Sequence, residues 1–187
     1  MRLIALSGLV LAAAAPPPVD DAREALRVAV AHAAPDYFAD VSETVRPCLR
    51  PDTTPQHVRG FRHLNRPPRA NPYHWFRDSA SGDRRGEPVP PAEEARIHAA
   101  ERTAWTVPAE PRSVARLDAR WLQPSFRFCT GTGSEVPLEF SAPVNVGDLA
   151  FVSVDYWCVM CGRGMLFALE RRATGWALLA WTEQWVS

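Results

Sequence analysis

Leu149-Ala150-Phe151-Val152-Ser153-Val154-Asp155-Tyr156-Trp157 is the strongest strand signal in the chain, and its reading decides the fold class. Ala150, Val152, Val154 and Tyr156 fall on one side of the alternation; Leu149, Phe151, Ser153, Asp155 and Trp157 fall on the other. Successive side chains of a strand point to opposite faces. Apolar groups in both sets therefore predict a central strand covered on both faces. Downstream come a Gly-rich turn, a strand over 165–170, a turn over 171–175 and a closing strand over 176–181. Upstream, 125–129 alternates between Pro124 and the Gly131-Thr132-Gly133 turn, and 136–140 is a further short strand.

Helical signals precede this meander. A first helix is expected over 21–34, capped by Asp20 or Asp21, with Glu24 in its first turn and Pro35 at its end. Its stripe of Ala22, Leu26, Ala29 or Val30, and Ala33 is thin, so it needs a larger surface to pack against. A second helix is expected over 91–104, with Pro91 near its first position and Glu93 and Glu94 in the favourable first turn. Residues 113–120 fit a short helix or a loop. Helices followed by an antiparallel meander predict an α+β domain, with a cone of sheet and helix of the nuclear transport factor 2-like type as the leading architecture. Between them, 44–91 is rich in proline and arginine and holds no period of 2 or 3.6. Short elements docked by Phe61, Trp75 and Phe76 are expected there.

The N-terminus predicts export. Met1-Arg2 is followed by an apolar run from Leu3 to Leu11, broken only by Ser7, and by small residues from Ala12 to Ala15. This is the order of a signal peptide, leaving a mature domain over 16–187 in a periplasmic or secreted location. No cysteine lies at the cleavage region, so a lipid anchor is not expected. No apolar stretch approaches the ~20 residues that span a bilayer, so no transmembrane anchor is expected. Lys+Arg and Asp+Glu each total 21, and the chain is neutral. With no global field to attract polyanions, nucleic acid is not an expected partner. Every basic residue is arginine, and the composition favours alanine and proline, which reads as genomic bias more than as anion recognition.

Trp157-Cys158-Val159-Met160-Cys161-Gly162-Arg163-Gly164 is the most specific motif. Three chemistries compete for its sulfurs. A disulfide between Cys158 and Cys161 suits an oxidising compartment and is the favoured reading. Thiol–disulfide exchange is suggested by a superficial likeness to the WCxxC of thioredoxin-like proteins. Its nucleophilic cysteine, however, draws a low pKa from a helix N-terminus, and here glycines and a strand follow. Zinc is suggested by CxxCG, but a structural zinc takes four ligands, and Cys48 and Cys129 are isolated. Four cysteines allow three complete pairings, so the partners of Cys48 and Cys129 stay open.

Together with Leu166, Leu169-Glu170-Arg171, Gly175-Trp176 and the terminal Trp185-Val186-Ser187, this segment resembles the tail of a loosely defined group of uncharacterised bacterial exported proteins. That group shares a C-x-x-C-G-x-G hairpin and a closing W-[IV]-S. Trp157 and Met160 depart from its usual residues. The resemblance covers the C-terminal part of the chain and implies export and the hairpin, with no activity attached.

Arg59, Arg62, Arg66, Arg69 and Arg77 share a stretch free of acidic residues with Phe61, Tyr73, Trp75 and Phe76, and form a possible anion-binding set for an envelope component or small ligand. Solvated loop arginines are the commoner outcome. Gly131 to Glu135 lacks the spacing of a nucleophile elbow, and without lysine it is no phosphate loop. The five histidines form no H-E-x-x-H motif. Asp148, Asp155 and Glu170 would make a carboxylate pair only if their strands are adjacent. No cofactor or metal site is expected. The function expected is a non-catalytic binding or structural domain. The alternatives are a small-substrate or glycan hydrolase with a pocket, and thiol–disulfide exchange at Cys158 and Cys161.

Overall fold

The computed structural model describes residues 19–40, 46–53, 74–77, 86–104, 106, 116–121, 126–131, 134–158 and 161–186. The N-terminal segment expected to be a signal peptide and Arg59, Arg62, Arg66 and Arg69 lie outside these residues, as do Phe61, His57 and His63. The side chains of Trp157, Cys158, Cys161 and Trp185 also lie outside what is described.

The chain is an α+β protein: helices α1 (Val19–Asp40) and α2 (Pro91–Ala104) and an eight-stranded sheet. The strands are β1 (Arg46–Leu49), β2 (Phe76–Arg77), β3 (Glu87–Pro88), β4 (Glu135–Phe140), β5 (Val144–Val146), β6 (Leu149–Cys158), β7 (Cys161–Arg172) and β8 (Gly175–Val186). Their order is β1-β4-β6-β7-β8-β2-β3, with β5 also on β6. Pairing is antiparallel except for β1 with β4, which is parallel.

The alternation of β6 is realised. Ala150, Val152, Val154 and Tyr156 join the core beneath α1, with Met165, Phe167, Leu169 and Trp176. Leu149 and Phe151 join a second core beneath α2, with Trp75, Ile97, Leu166 and Ala168. The sheet is thus covered on opposite faces by the two helices. Alanines at 25, 29, 33 and 34 let the α1 backbone approach the sheet, while Leu26, Val30 and Tyr37 fill the space between. Each fully buried leucine here contributes about 2 kcal/mol.

Three expectations are corrected. Pro35 does not end α1, which runs on to Asp40. An interior proline costs a helix about 3 kcal/mol; here Tyr37, two residues further, is buried, donates its hydroxyl to the Val136 carbonyl and packs on Tyr156 at 5.0 Å. Asp21 does not cap α1. It turns to the sheet, accepting from Trp176 Nε1 at 3.1 Å and pairing with Arg171. Of the strand expected over 125–129, the described residues 126–129 form only an isolated bridge, from Phe128 to Leu49 in parallel.

Within the irregular 44–91 segment, β1, β2 and β3 are short strands that extend both ends of the sheet. Trp75, expected to dock a loop, is fully buried at the centre of the second core. Phe76 is half-buried against Trp181, with ring centroids 5.5 Å apart. Residues 119–121 form a single 3-10 turn. No helix among the described residues is long and apolar enough to cross a membrane.

Candidate functional site

A cleft of about 680 Å³ runs along β8. One wall is α1, whose Arg27, Val28, Ala31 and His32 recur at a spacing that puts them on one flank of the helix. The floor is β8 itself, from Trp176 to Leu179. Arg77, Glu93, Glu170 and Arg172 complete the far side. Among the described residues, β2 meets β8 through Phe76 and Trp181. Gly86 holds the β2–β3 pair closed. Its φ is +71°, and a Cβ there would stand 2.6 Å from the Arg77 carbonyl oxygen.

The charged groups of the cleft are paired. Arg27 forks onto Glu24 at 2.6 and 2.9 Å. Arg77 bonds Glu93. Glu170 takes Arg96 on one oxygen and Arg172, at 3.2 Å, on the other. The hydrogen bond from Arg96 is the main reason the Glu170 carboxyl is held below the usual carboxylate range; burial opposes it, and Arg172 adds to it. The Trp176 ring is fixed by its bond to Asp21 and by Arg171 stacked 4.8 Å from the ring centre. Pro35 has no N–H, so the Ala31 carbonyl on the cleft side of α1 lacks its helical donor.

The sequence candidates are redistributed accordingly. Asp148 and Glu170 do come together, because Arg96 holds one with each end of its guanidinium. Asp155 is elsewhere: it stands opposite Glu139 and Gly164, six residues along β6 from the row of Glu170 and Leu149. Arg50 pairs with Glu139 at 2.8 Å. Of the arginine set, Arg77 is described and lines the cleft. His74 is exposed, 3.5 Å from Glu94, whereas His98 is largely buried, 3.2 Å from Glu101. Sequence reading missed Arg27, His32, Glu93 and Arg172 as cleft residues. The Arg27, Val28, Ala31, His32 spacing was the one local signal available.

Cys48 and Cys129 form a disulfide. With Glu135 they are the group of metal-type ligand atoms among the described residues. The sulfurs are bonded to each other, and Glu135 accepts from Thr130 N and Gly131 N, both at 2.8 Å, and from the Thr130 hydroxyl at 2.9 Å. That is a structural cluster, not a thiolate ligand set. Cys158 and Cys161 are direct backbone partners across the β6–β7 turn, and Cys161 opens a strand, not a helix.

A second polar feature lies on the α2 face of the sheet. Ser153, Leu166 and Thr182 form one transverse row. The hydroxyls of Ser153 and Thr182 are buried without a hydrogen-bond partner, and Gln184 nearby has neither amide atom bonded.

Compared with known proteins, the chain matches no family model, no curated protein and no solved structure.

Proposed function

We propose that this chain is an exported envelope protein, periplasmic or secreted, whose single domain binds a ligand without transforming it, with the cleft along β8 as the binding site. The observation that carries this reading is the cleft volume, about 680 Å³, well inside the ~300–1,000 Å³ of ligand pockets. Its walls combine apolar Val28, Ala31 and Leu178 with the guanidinium groups of Arg27, Arg77 and Arg172. Each guanidinium has five N–H donors, so an arginine holding one carboxylate keeps donors for a second anion.

Several features speak for binding over catalysis. The described lining contains no serine, threonine, cysteine, tyrosine or lysine to act as a nucleophile. A general acid working near neutrality needs a raised carboxyl pKa; Glu170 is displaced the other way. Leu26, Val30, Tyr37 and Phe140 fill the rest of the interface between α1 and the sheet, so the cleft lies at its β8 margin. In this reading Cys158 and Cys161 form a second disulfide that ties the β6–β7 turn. Export follows from the composition of residues 1–15 and agrees with the Cys48–Cys129 disulfide.

The test uses the mature chain from an envelope fraction. Its mass should place the N-terminus between residues 13 and 20. Inorganic phosphate, citrate or a free-carboxylate peptide should raise its melting temperature by about 2 °C or more, and Arg77→Ala should abolish the rise. An intact Met1 in the cytosol removes the export claim. Hydrolysis of ester or glycoside substrates that disappears in Glu170→Gln, with unchanged melting, overturns the binding reading.

A further inference from the structure

Asp21 ties one wall of the cleft to its floor. It stands in the first turn of α1, the helix whose Arg27, Val28, Ala31 and His32 form that wall. Its carboxylate accepts from three strands: from Trp176 Nε1 on β8 at 3.1 Å, from Asn145 Nδ2 on β5 at 3.3 Å, and from Arg171 on β7. Trp176 begins the floor, and Arg171 precedes Arg172 of the far side. Asn145 is given over to this contact. Its Oδ1 is buried without a partner, and its side-chain bonding among the described residues is the donation to Asp21. The Asp21 side chain is only 13% exposed, so these charge-assisted bonds are sheltered from water.

The apolar contact between α1 and the sheet does not supply the same definition. Ala25, Ala29, Ala33 and Ala34 are buried there with Leu26 and Val30. Apolar contact is non-directional, and alanines raise only shallow ridges, so this interface resists separation more than sliding. Arg23 reaches Asp118 at 3.4 Å, beside the 119–121 turn and not on the sheet. At the other end of α1, Tyr37 is anchored on the Val136 carbonyl, about 24 Å from Asp21 at 1.5 Å per residue. Pro35 stands between that anchor and the wall and removes the donor for the Ala31 carbonyl, which makes the Tyr37 end the softer connection. Resting on the reading of the cleft given above, we propose that Asp21 is its positioning residue. The carboxylate lies outside the lining, fixes the α1 wall over the β8 floor, and thereby sets ligand affinity. A site whose supporting contacts let it loosen by about 1 Å loses function while the fold persists.

The test compares the mature wild type with Asp21→Ala and, as a control at the other anchor, with Tyr37→Phe, which removes only the hydroxyl. Affinities for citrate and inorganic phosphate are measured by calorimetry, and amide hydrogen exchange is followed along α1 and the sheet. Asp21→Ala should bind either anion at least tenfold more weakly. Its amides from Arg23 to His32 should exchange faster, while those of β6 and β7 keep their wild-type rates. Tyr37→Phe should stay within threefold of the wild-type affinity whatever its melting temperature, a contrast that separates positioning from general loosening. Should Asp21→Ala not fold, Asp21→Asn, which keeps a neutral acceptor for Trp176 Nε1, takes its place with a loss of at least threefold. If the wild type binds and the Asp21 variant matches it within threefold, or Tyr37→Phe loses as much, positioning by Asp21 is overturned and the binding cleft stands. If the wild type binds neither anion, the reading of the cleft fails and this proposal falls with it.

Discussion

Thr182 is fully buried in β8, and its hydroxyl finds no partner. Its main-chain partner is Leu166 on β7, and Leu149, Phe151 and Leu166 belong to the apolar core on that face. An unmet buried hydroxyl forfeits about 1–3 kcal/mol of hydration, whereas an apolar group of the same shape forfeits nothing. Thr182→Val keeps both the β-branched shape and the strand preference. It should therefore stabilise the protein by about 1 kcal/mol, visible as a rise of about 2–4 °C in melting temperature. A lower melting temperature in the variant would mean that the hydroxyl has a partner in solution. Trp176 illustrates the opposite case: its indole N–H meets Asp21 and its ring carries Arg171, so its polar handle is satisfied and the ring is fixed in the lining of the cleft.

At the scale of elements, β1 is the least self-sufficient strand. It has four residues, lies parallel to β4, and is held from its other side by Leu49 N to Arg127 O and Cys129 N to Leu49 O, at 2.9 and 3.0 Å. The Cys48–Cys129 disulfide closes a loop with a sequence separation of 81. By the chain-entropy argument such a loop is worth about 4.5 kcal/mol. The Cys48→Ala/Cys129→Ala double variant should lose most of that in a denaturant titration while keeping its β6–β8 core. An unchanged unfolding midpoint would show that the bond constrains little, and a non-reducing peptide map that failed to find the 48–129 pair would remove it. The alternation of Leu149 to Trp157 disclosed both faces of β6 because a period of two is written locally. α2 was equally legible from Pro91, Glu93 and Glu94, whose favourable first-turn chemistry is local as well. The full length of α1 was not, because the packing of Tyr37 against Tyr156 and Val136, remote in sequence, outweighs the local cost of Pro35. The pairing of Cys48 with Cys129 and the meeting of Asp148 with Glu170 through Arg96 depend on strand order and register, which no local pattern encodes. For the same reason Asp155 could not be matched to Glu139 from spacing. The cleft was the least legible feature, because its lining comes from α1, α2, β2, β7 and β8, which only the tertiary fold brings together.

Viewed as a whole, the molecule balances 21 arginines against 21 acidic residues, and many of those charges meet at the surface. Three carboxyls are held low by arginine: Glu24 chiefly by its hydrogen bond from Arg27, Asp118 by the one from Arg120, which takes it to about 2, and Glu170 by the one from Arg96. A carboxyl whose folded pKa lies below its unfolded value binds fewer protons in the native state. Its contribution is then complete above the unfolded value, about 4, and is lost as the pH falls through the folded value. The window set by these groups runs from roughly pH 4.5 down to about 2. Because the pairs are solvent-screened the loss should be modest, and 1 M salt should shrink it further. General repulsion among arginines left unopposed in acid acts in the same direction, so the urea midpoint of the wild type alone does not isolate the pairs. Asp118→Asn does: the variant should start with a lower midpoint at pH 7 and fall less steeply between pH 4.5 and 2.5. Parallel curves for the two proteins would mean that the Asp118–Arg120 pair gives no pH-dependent stability and that acid sensitivity comes from net charge alone.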